Sequence, residues 1–416
     1  MELIVRIEKL VHRGAGLGRL PDGRAVFVPY TCPGEEVRIR LVREQKSWAS
    51  GEAEEILSPS PARREPPCPY YGRCGGCQLM HLENSEQREW KRRIVEELWR
   101  HEHAVAPGSR HDREFGYRHR VRLHILPGNR GVGFMGINTN TVVIIDDCLV
   151  CAEPIRRAIP WIRQELLPLL TRNRVEPEEI TIIVGDNPPP IFRLHGRRAV
   201  ERAKRREISA QAAFPVEWEQ DGRPPRGTDL TIGAFAYRVD AAAFFQAHPA
   251  AAAELLADPA LELAPESRLL ELYCGMGLFT VALARRVSSV TAVEGDPGCT
   301  GLFADNIRRA GAGNVRHVES SVESWLAQNE AGLGDFDALF LDPPRTGLGA
   351  GVRDGLARAS FRDLLYLSCD IATQRRDLLA WLEGGHYGVA NLTVFDFFPN
   401  TFHIECLARL HGPGAR

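Results

Sequence analysis

RLLELYCGMGLFTVALARR, residues 268 to 286, reads as a strand, a glycine loop and a helix. Gly275 and Gly277 allow the backbone to turn tightly and approach a ligand at the helix N-terminus. The next run, SVTAVEGD, forms a second strand that ends in Glu294, placed to accept hydrogen bonds from ribose hydroxyls. Together these make a nucleoside site. A dinucleotide fingerprint would want a third glycine where Thr280 stands, so S-adenosylmethionine fits better than a dinucleotide. A later strand, FDALFLDPPRTGL, runs into Asp342-Pro343-Pro344-Arg345. Asp-Pro-Pro makes a rigid loop at the carboxyl edge of the sheet, where ligands of such folds bind.

Two further residues fall on that edge. Cys369 ends the buried run LLYLSCDIATQ, and Glu405 lies in the last strand, FHIECLARL. A buried cysteine is most often an inert small hydrophobe, and a lone glutamate is most often a surface charge. Beside a methyl donor they match a specific reaction, because carbon 5 of a pyrimidine is a poor nucleophile until something adds to carbon 6. A thiolate can add there, making carbon 5 enolate-like. Once the methyl group has transferred, a base must take the carbon 5 proton so that the thiol can be eliminated. Cys369 is therefore a candidate covalent nucleophile.

A third constellation is CPYYGRCGGC, giving Cys68-x5-Cys74-x2-Cys77, with DDCLVC adding Cys148 and Cys151. Cys74-x2-Cys77 with Cys148-x2-Cys151 suits a tetrahedral zinc ion. Cys68, Cys74, Cys77 and one later cysteine suit an iron-sulfur cluster. The spacing leaves both open.

The elements that must hold these residues follow from periodicity and punctuation. At 416 residues and 44% hydrophobic content, the chain is long enough for two or three domains. In EEVRIRLV, Val37, Ile39 and Leu41 alternate with Arg38 and Arg40, as in a half-buried strand. Such strands build a small β-barrel over residues 1–59. SPSPARREPP is a linker by composition. Residues 60–235 carry the cysteines, the helix ENSEQREWKRRIVEELWR and strands such as YRHRVRLHI, an α+β block. From 236 to 416 strands and helices alternate as in a Rossmann-like α/β sheet.

The first residues, MELIVRIEKL, alternate as a strand and do not read as a signal peptide; no stretch reaches a membrane-spanning length. The expectation is a soluble cytoplasmic protein without a membrane or obligate protein partner. Ten cysteines there point to metal ligation or catalysis, because the cytosol keeps thiols reduced. Net charge is only -2, yet residues 84–130 hold eleven Lys/Arg against seven Asp/Glu, and residues 193–208 hold seven against two. Local basic faces follow, whether solvated or nucleic-acid-binding. Arg118, Arg120 and Arg122 alternate and so share one face of a strand.

CPYYGRCGGCQLMH, FGYRHRVRL, FFQ, ELYCGMGLFT, LDPPRTGL, YLSCD and FPNTFHIE, in this order along nearly the whole chain, resemble the RNA uracil-5-methyltransferase family. The N-terminal barrel resembles the TRAM domain of its ribosomal RNA members. The resemblance implies transfer of a methyl group from S-adenosylmethionine to uridine in RNA, 23S ribosomal RNA above all. It further implies Cys369 as nucleophile, Glu405 as proton-abstracting base, and Gln246, Tyr273, Glu294 and Asp342 as cofactor contacts. Phe244 and Arg345 would lie near the flipped uracil, with the three arginines on RNA phosphates. A [4Fe-4S] cluster would be held by Cys68, Cys74, Cys77 and Cys148. Asp370-Ile371 follows the nucleophile where the family commonly has Asn-Pro.

Three rivals stand beside this reading. One is methylation of uridine in transfer RNA, or of cytosine at carbon 5. Another is an RNA-binding module that has lost catalysis, against which both Cys369 and Glu405 argue. A radical methylthiotransferase expects Cys-x3-Cys-x2-Cys, which is absent.

Overall fold

The computed structural model describes residues 3–100, 103–109, 111–187, 189–221 and 225–413. Alternating apolar residues close the first five strands into a barrel. These are β1 (Leu3–Leu10), β2 (Gly16–Arg19), β3 (Ala25–Val28), β4 (Glu36–Glu44) and β5 (Trp48–Ser58), in the order β1-β2-β3-β5-β4 with β4 paired back to β1. Val5, Ile7, Val26, Val28, Val37 and Ile39 fill it, while Arg38 and Arg40 face outward onto Glu55 and Glu52. The linker is fastened to the barrel through buried Glu35. Its carboxylate accepts from Arg63 and from the amides of Cys32 at 2.7 Å and Ser60 at 3.2 Å.

The block expected as one unit over residues 60–235 packs in two places. Its first helix, α1 (Asn84–Leu98), and the short strand β6 (Val105–Pro107) belong to the C-terminal sheet. Val95 and the following Trp99 enter that sheet's core, and β6 pairs in parallel with residues 392–394. What remains is a six-stranded sheet made of β7 (Arg120–Ile125), β8 (Val132–Met135), β9 (Val142–Ile144), β10 (Glu179–Ile183), β11 (Ile191–His195) and β12 (Val216–Trp218), in the order β12-β11-β10-β7-β8-β9. Helices α2 (Glu153–Trp161) and α3 (Leu167–Arg172) cover the face that carries Val121 and Leu123. Helix α4 (Arg202–Gln211) lies at the β12 edge. The hairpin β13 (Gly227–Ile232) and β14 (Phe235–Asp240) starts before the expected boundary at 236 and packs with the catalytic core through Leu230, Ile232, Tyr237 and Val239.

The C-terminal part continues as α5 (Pro249–Leu256), β15 (Arg268–Leu272), α6 (Leu278–Leu283), β16 (Ser289–Glu294), α7 (Pro297–Ala310), β17 (Val315–Glu319), α8 (Val322–Asn329), β18 (Ala338–Leu341), α9 (Ala350–Ala357), β19 (Asp363–Ser368), α10 (Ile371–Leu382), β20 (Gly388–Phe395) and β21 (Glu405–His411). With β6 they make an eight-stranded sheet of order β17-β16-β15-β18-β19-β21-β20-β6. Strands β18 and β19 are buried throughout, as parallel strands covered on both faces must be. The order reverses between β15 and β18, which opens a crevice at their carboxyl ends. β21 alone runs antiparallel to both its neighbours.

Lys91 of α1 meets Asp396 at 2.7 Å with only 1% and 3% of the two side chains exposed. Lys91→Met would leave that carboxylate buried without its cation and should cost about 3–5 kcal/mol, read from denaturant unfolding. Adding Asp396→Asn should recover part of the loss. A cost below about 1 kcal/mol would mean that water already reaches the pair.

Candidate active site and nucleic-acid cleft

Strand register brings the two sequence-predicted catalytic residues together. Ser368 stands opposite Cys406 in the antiparallel β19–β21 pair, so Cys369 and Glu405 face each other one position further on. Asp370 closes the turn by accepting from the amides of Ala372 and Thr373 at 3.1 Å each, which caps α10. Burial, then Glu405, raise the Cys369 thiol to about 12, with Arg345 opposing both. Glu405 is 4% exposed, and burial, then Asp342, raise its carboxyl well above the usual range. A carboxylate so placed is a stronger base than one in water, and the guanidinium beside it favours the thiolate.

The cofactor end adjoins this pair through Asp342. Burial and the Glu294 charge raise the Asp342 carboxyl to about 7. Gly275 and Gly277 take φ of 55° and 87°, and Tyr273 also has positive φ, 64°. A β-carbon on Gly275 would stand in open space, so the loop leaves room for a ligand over its backbone. The Gly275 amide donates to Glu294 Oε2 at 2.8 Å and the Asp296 amide to Oε1 at 2.7 Å, which orients the carboxylate and leaves lone pairs free. Gln246 is 5% exposed, with Oε1 lacking a hydrogen-bond partner. These residues form a cradle with unmet hydrogen-bonding capacity, the donor and acceptor set a nucleoside requires.

Some residues of the site went unread in the sequence. Glu271, beneath the glycine loop, is fully buried and raised to about 8 by burial; its signal was a charge inside the apolar run LLEL. His403 lies 3.4 Å from Arg345, and burial with that cation lowers it to about 3. Its signal was its place two residues before Glu405. His12 comes from the barrel, and Asp370 acts on it electrostatically, a proximity no local pattern encodes.

Cys68, Cys74, Cys77 and Cys148 line one small cavity. Cys151 is fully buried and hydrogen-bonds to Cys148, whose thiol that contact lowers. Among the described residues no three His, Cys, Asp or Glu side chains converge closely enough to hold a single metal ion. Cys74, part of an isolated bridge to Gly136, receives the Gly76 amide on its sulfur at 3.4 Å.

From Cys369 a cleft of about 1100 Å³ opens between all three parts of the molecule. Arg118, Arg120 and Arg122 line it, sharing a face as their alternation implies. Burial, then Arg122 and Arg118, lower the Arg120 guanidinium to about 10, a crowding of positive charge that an anion would relieve. Arg122 also meets Glu179 at 3.3 Å. Phe244 projects into the cleft, 61% exposed. The barrel reaches the same space through its first turn, where a β-carbon on Gly14 would lie 3.1 Å from Phe402 Cβ.

Arg345→Met removes the cation that lowers the Cys369 thiol, so alkylation of Cys369 by iodoacetamide at a fixed alkaline pH should slow, about tenfold for each pKa unit lost. Mass spectrometry of the Cys369 peptide reads the rate. An unchanged rate would mean that Arg345 does not act on the thiol.

With this geometry in place, comparison with known proteins is specific. Residues 229–411 match the family model tRNA (Uracil-5-)-methyltransferase. Residues 3–62 match the TRAM domain of tRNA (uracil(54)-C(5))-methyltransferase. The chain is 34% identical to the 23S rRNA (uracil(1939)-C(5))-methyltransferase RlmD of Chromohalobacter salexigens, over 97% of this chain and 88% of that protein. It is 30% identical to RlmD of Pseudomonas putida, over 97% and 92% respectively. The crystal structure of Pyrococcus abyssi tRNA (uracil-54, C5)-methyltransferase with S-adenosyl-L-homocysteine superposes with a TM-score of 0.75 at 22% identity, covering 99% of this chain and 100% of that one. The barrel, the glycine-loop crevice, the facing thiol and carboxylate and these full-length relatives agree: the chain belongs to the S-adenosylmethionine-dependent RNA uracil-5-methyltransferases that carry a TRAM domain.

Proposed function

We propose that this protein methylates carbon 5 of a uridine in 23S ribosomal RNA through a covalent bond from Cys369 to carbon 6. The observation that carries the reading is the facing of Cys369 and Glu405 at the crevice that also holds the glycine loop. Full-length relatives named as 23S rRNA enzymes support the choice of RNA. S-adenosylmethionine, held by Gln246, Tyr273, Gly275, Gly277, Glu294 and Asp342, supplies an electrophilic methyl group for carbon 5. The target base leaves its stack to reach the thiol, at a cost of a few kcal/mol, and stacking on Phe244 would return about 1–3 kcal/mol. Arg345 stabilises the attacking thiolate, and Arg118, Arg120 and Arg122 hold the flanking phosphates. Glu405 then takes the carbon 5 proton, the electron pair of that bond re-forms the ring double bond, and Cys369 leaves as the thiolate. Three parts divide the work: an RNA-binding barrel at 1–59, a cysteine-bearing part within 60–235, and the methyltransferase, which α1, β6 and the β13–β14 hairpin join ahead of residue 236. Among the described residues no helix is long and apolar enough to cross a membrane.

Cys68, Cys74, Cys77 and Cys148 line one cavity, which supplies the four thiolates that a [4Fe-4S] cluster takes. A [4Fe-4S] cluster on Cys68, Cys74, Cys77 and Cys148 would supply a rigid cross-link between the cysteine loop and the segment after β9. Anaerobically purified protein should therefore hold about four irons and four sulfides per chain. Cys148→Ser should lose iron and Cys151→Ser should largely keep it, and stoichiometric zinc without sulfide would overturn the assignment.

The catalytic roles separate on a denaturing gel with 23S rRNA or tRNA from a strain lacking the gene and a labelled methyl donor. Cys369→Ala should give neither adduct nor product. Glu405→Gln should accumulate methylated, protein-linked RNA, with release slowed about 100- to 10,000-fold. An adduct that survives Cys369→Ala would remove Cys369 as nucleophile, and label confined to tRNA would move the substrate.

A further inference from the structure

The strand that carries Glu405 is approached through a loop, residues 396–404, anchored mainly by residues 64–117. At its centre sits Asn400, fully buried and in the left-handed region at φ 68°. Every polar atom of this residue is engaged. Its carbonyl accepts the amides of Gln78 and Leu79 at 3.0 and 2.9 Å, the residues that directly follow Cys77. Its Oδ1 accepts from Arg64 at 3.1 Å and Gln87 at 3.2 Å, its own amide donates to Gln87 Oε1 at 2.7 Å, and its Nδ2 donates to the Glu114 carbonyl at 2.9 Å. Nearby, Tyr117 donates to the Pro399 carbonyl at 3.0 Å, and Lys91 to that of Phe398 at 3.1 Å.

We infer that Asn400 is a positioning residue that couples the cysteine loop to the catalytic base, so that disturbing the loop around Cys77 unseats Glu405. The inference rests on the proposed roles of Glu405 and the four cysteines. The two amides after Cys77 point at the Asn400 carbonyl only while that loop keeps its shape. A non-glycine residue holds a left-handed backbone only where its surroundings over-determine it. If the loop relaxes, Asn400 loses the contacts that keep it there, and the five residues to Glu405 lose their fixed end. Addition of Cys369 to carbon 6 and methyl transfer would continue. Removal of the carbon 5 proton would slow, and the enzyme would stall bonded to methylated RNA. A protein that has lost its cluster would thus be held on its substrate instead of turning over.

The test uses full-length protein with its iron, labelled methyl donor and 23S rRNA from a strain lacking the gene. Asn400→Gly tolerates the positive φ and keeps the main-chain carbonyl but loses the side-chain bonds. Gln87→Ala removes one of those bonds and the acceptor of the Asn400 main-chain amide, and serves if the glycine variant does not fold. Both should accumulate the covalent methylated adduct at least tenfold over wild type, as Glu405→Gln does, whereas simple destabilisation would lower adduct and product together. In wild type, chelating the iron should speed hydrogen exchange of peptide 397–405 at least tenfold. Adduct in Glu405→Gln but not in the two variants overturns the coupling alone. No adduct in Glu405→Gln overturns the base assignment and the coupling with it. Unchanged exchange after iron is removed severs the link to the cysteine loop, and a protein purified without iron removes the cluster reading while the two variants still decide the role of Asn400.

Discussion

One inverted strand makes this active site possible. In a parallel sheet every strand ends at the ligand edge, so a residue at the start of a strand lies at the far side of the molecule. β21 runs against β19, and its first residue, Glu405, therefore arrives at the edge where β19 releases Cys369. The proposed nucleophile and base thus come from opposite ends of adjacent strands, held in register by a ladder that extends from Asp363 to Ser368. A slip of one residue would turn Glu405 to the other face, so the chemistry is as secure as the hydrogen bonding of the sheet.

The electrostatic consequence is a crevice crowded with acids. Glu271, Asp342 and Glu405 are all raised above ordinary carboxyls by burial. Burying such groups costs stability, and Arg345, which is exposed, is the cation that acts on both Glu405 and Cys369. The fold tolerates the arrangement because β18 and β19 are apolar along their length and are covered on both sides. Local rules fail at the functional edge and hold everywhere behind it.

Much of this was legible in the residues. Alternation announced the barrel and the arginine face, and the glycine loop and the Asp-Pro-Pro turn announced the crevice. Cys369 was visible because a long apolar run stopped at it. The misplaced boundaries have a common physical cause: three residues of β6 carry no measurable period, and the β13–β14 hairpin joins its core through contacts distant in sequence. Spacing gave no way to choose between Cys148 and Cys151, since burial separates them. The basic run at 193–208 is partly absorbed by local pairs such as Arg205 with Asp221 at 2.7 Å, which a charge count does not show. Asn400 looked like a turn residue, because its partners lie as far as 336 positions away.

The strand β6 also sets an order of events at the ribosome. The barrel can close as soon as its own residues emerge, but β6 must wait for β20, and the amides after Cys77 must wait for Asn400. Domains generally form as units during synthesis, and contacts of high sequence separation come last. Until the final strands appear, α1 and β6 stand without their sheet, a nascent apolar surface that only the end of translation covers. The segment that carries Glu405 is then also the one that closes the molecule, and a truncated chain would reach the cell without that carboxylate and with an open edge for chaperones to hold.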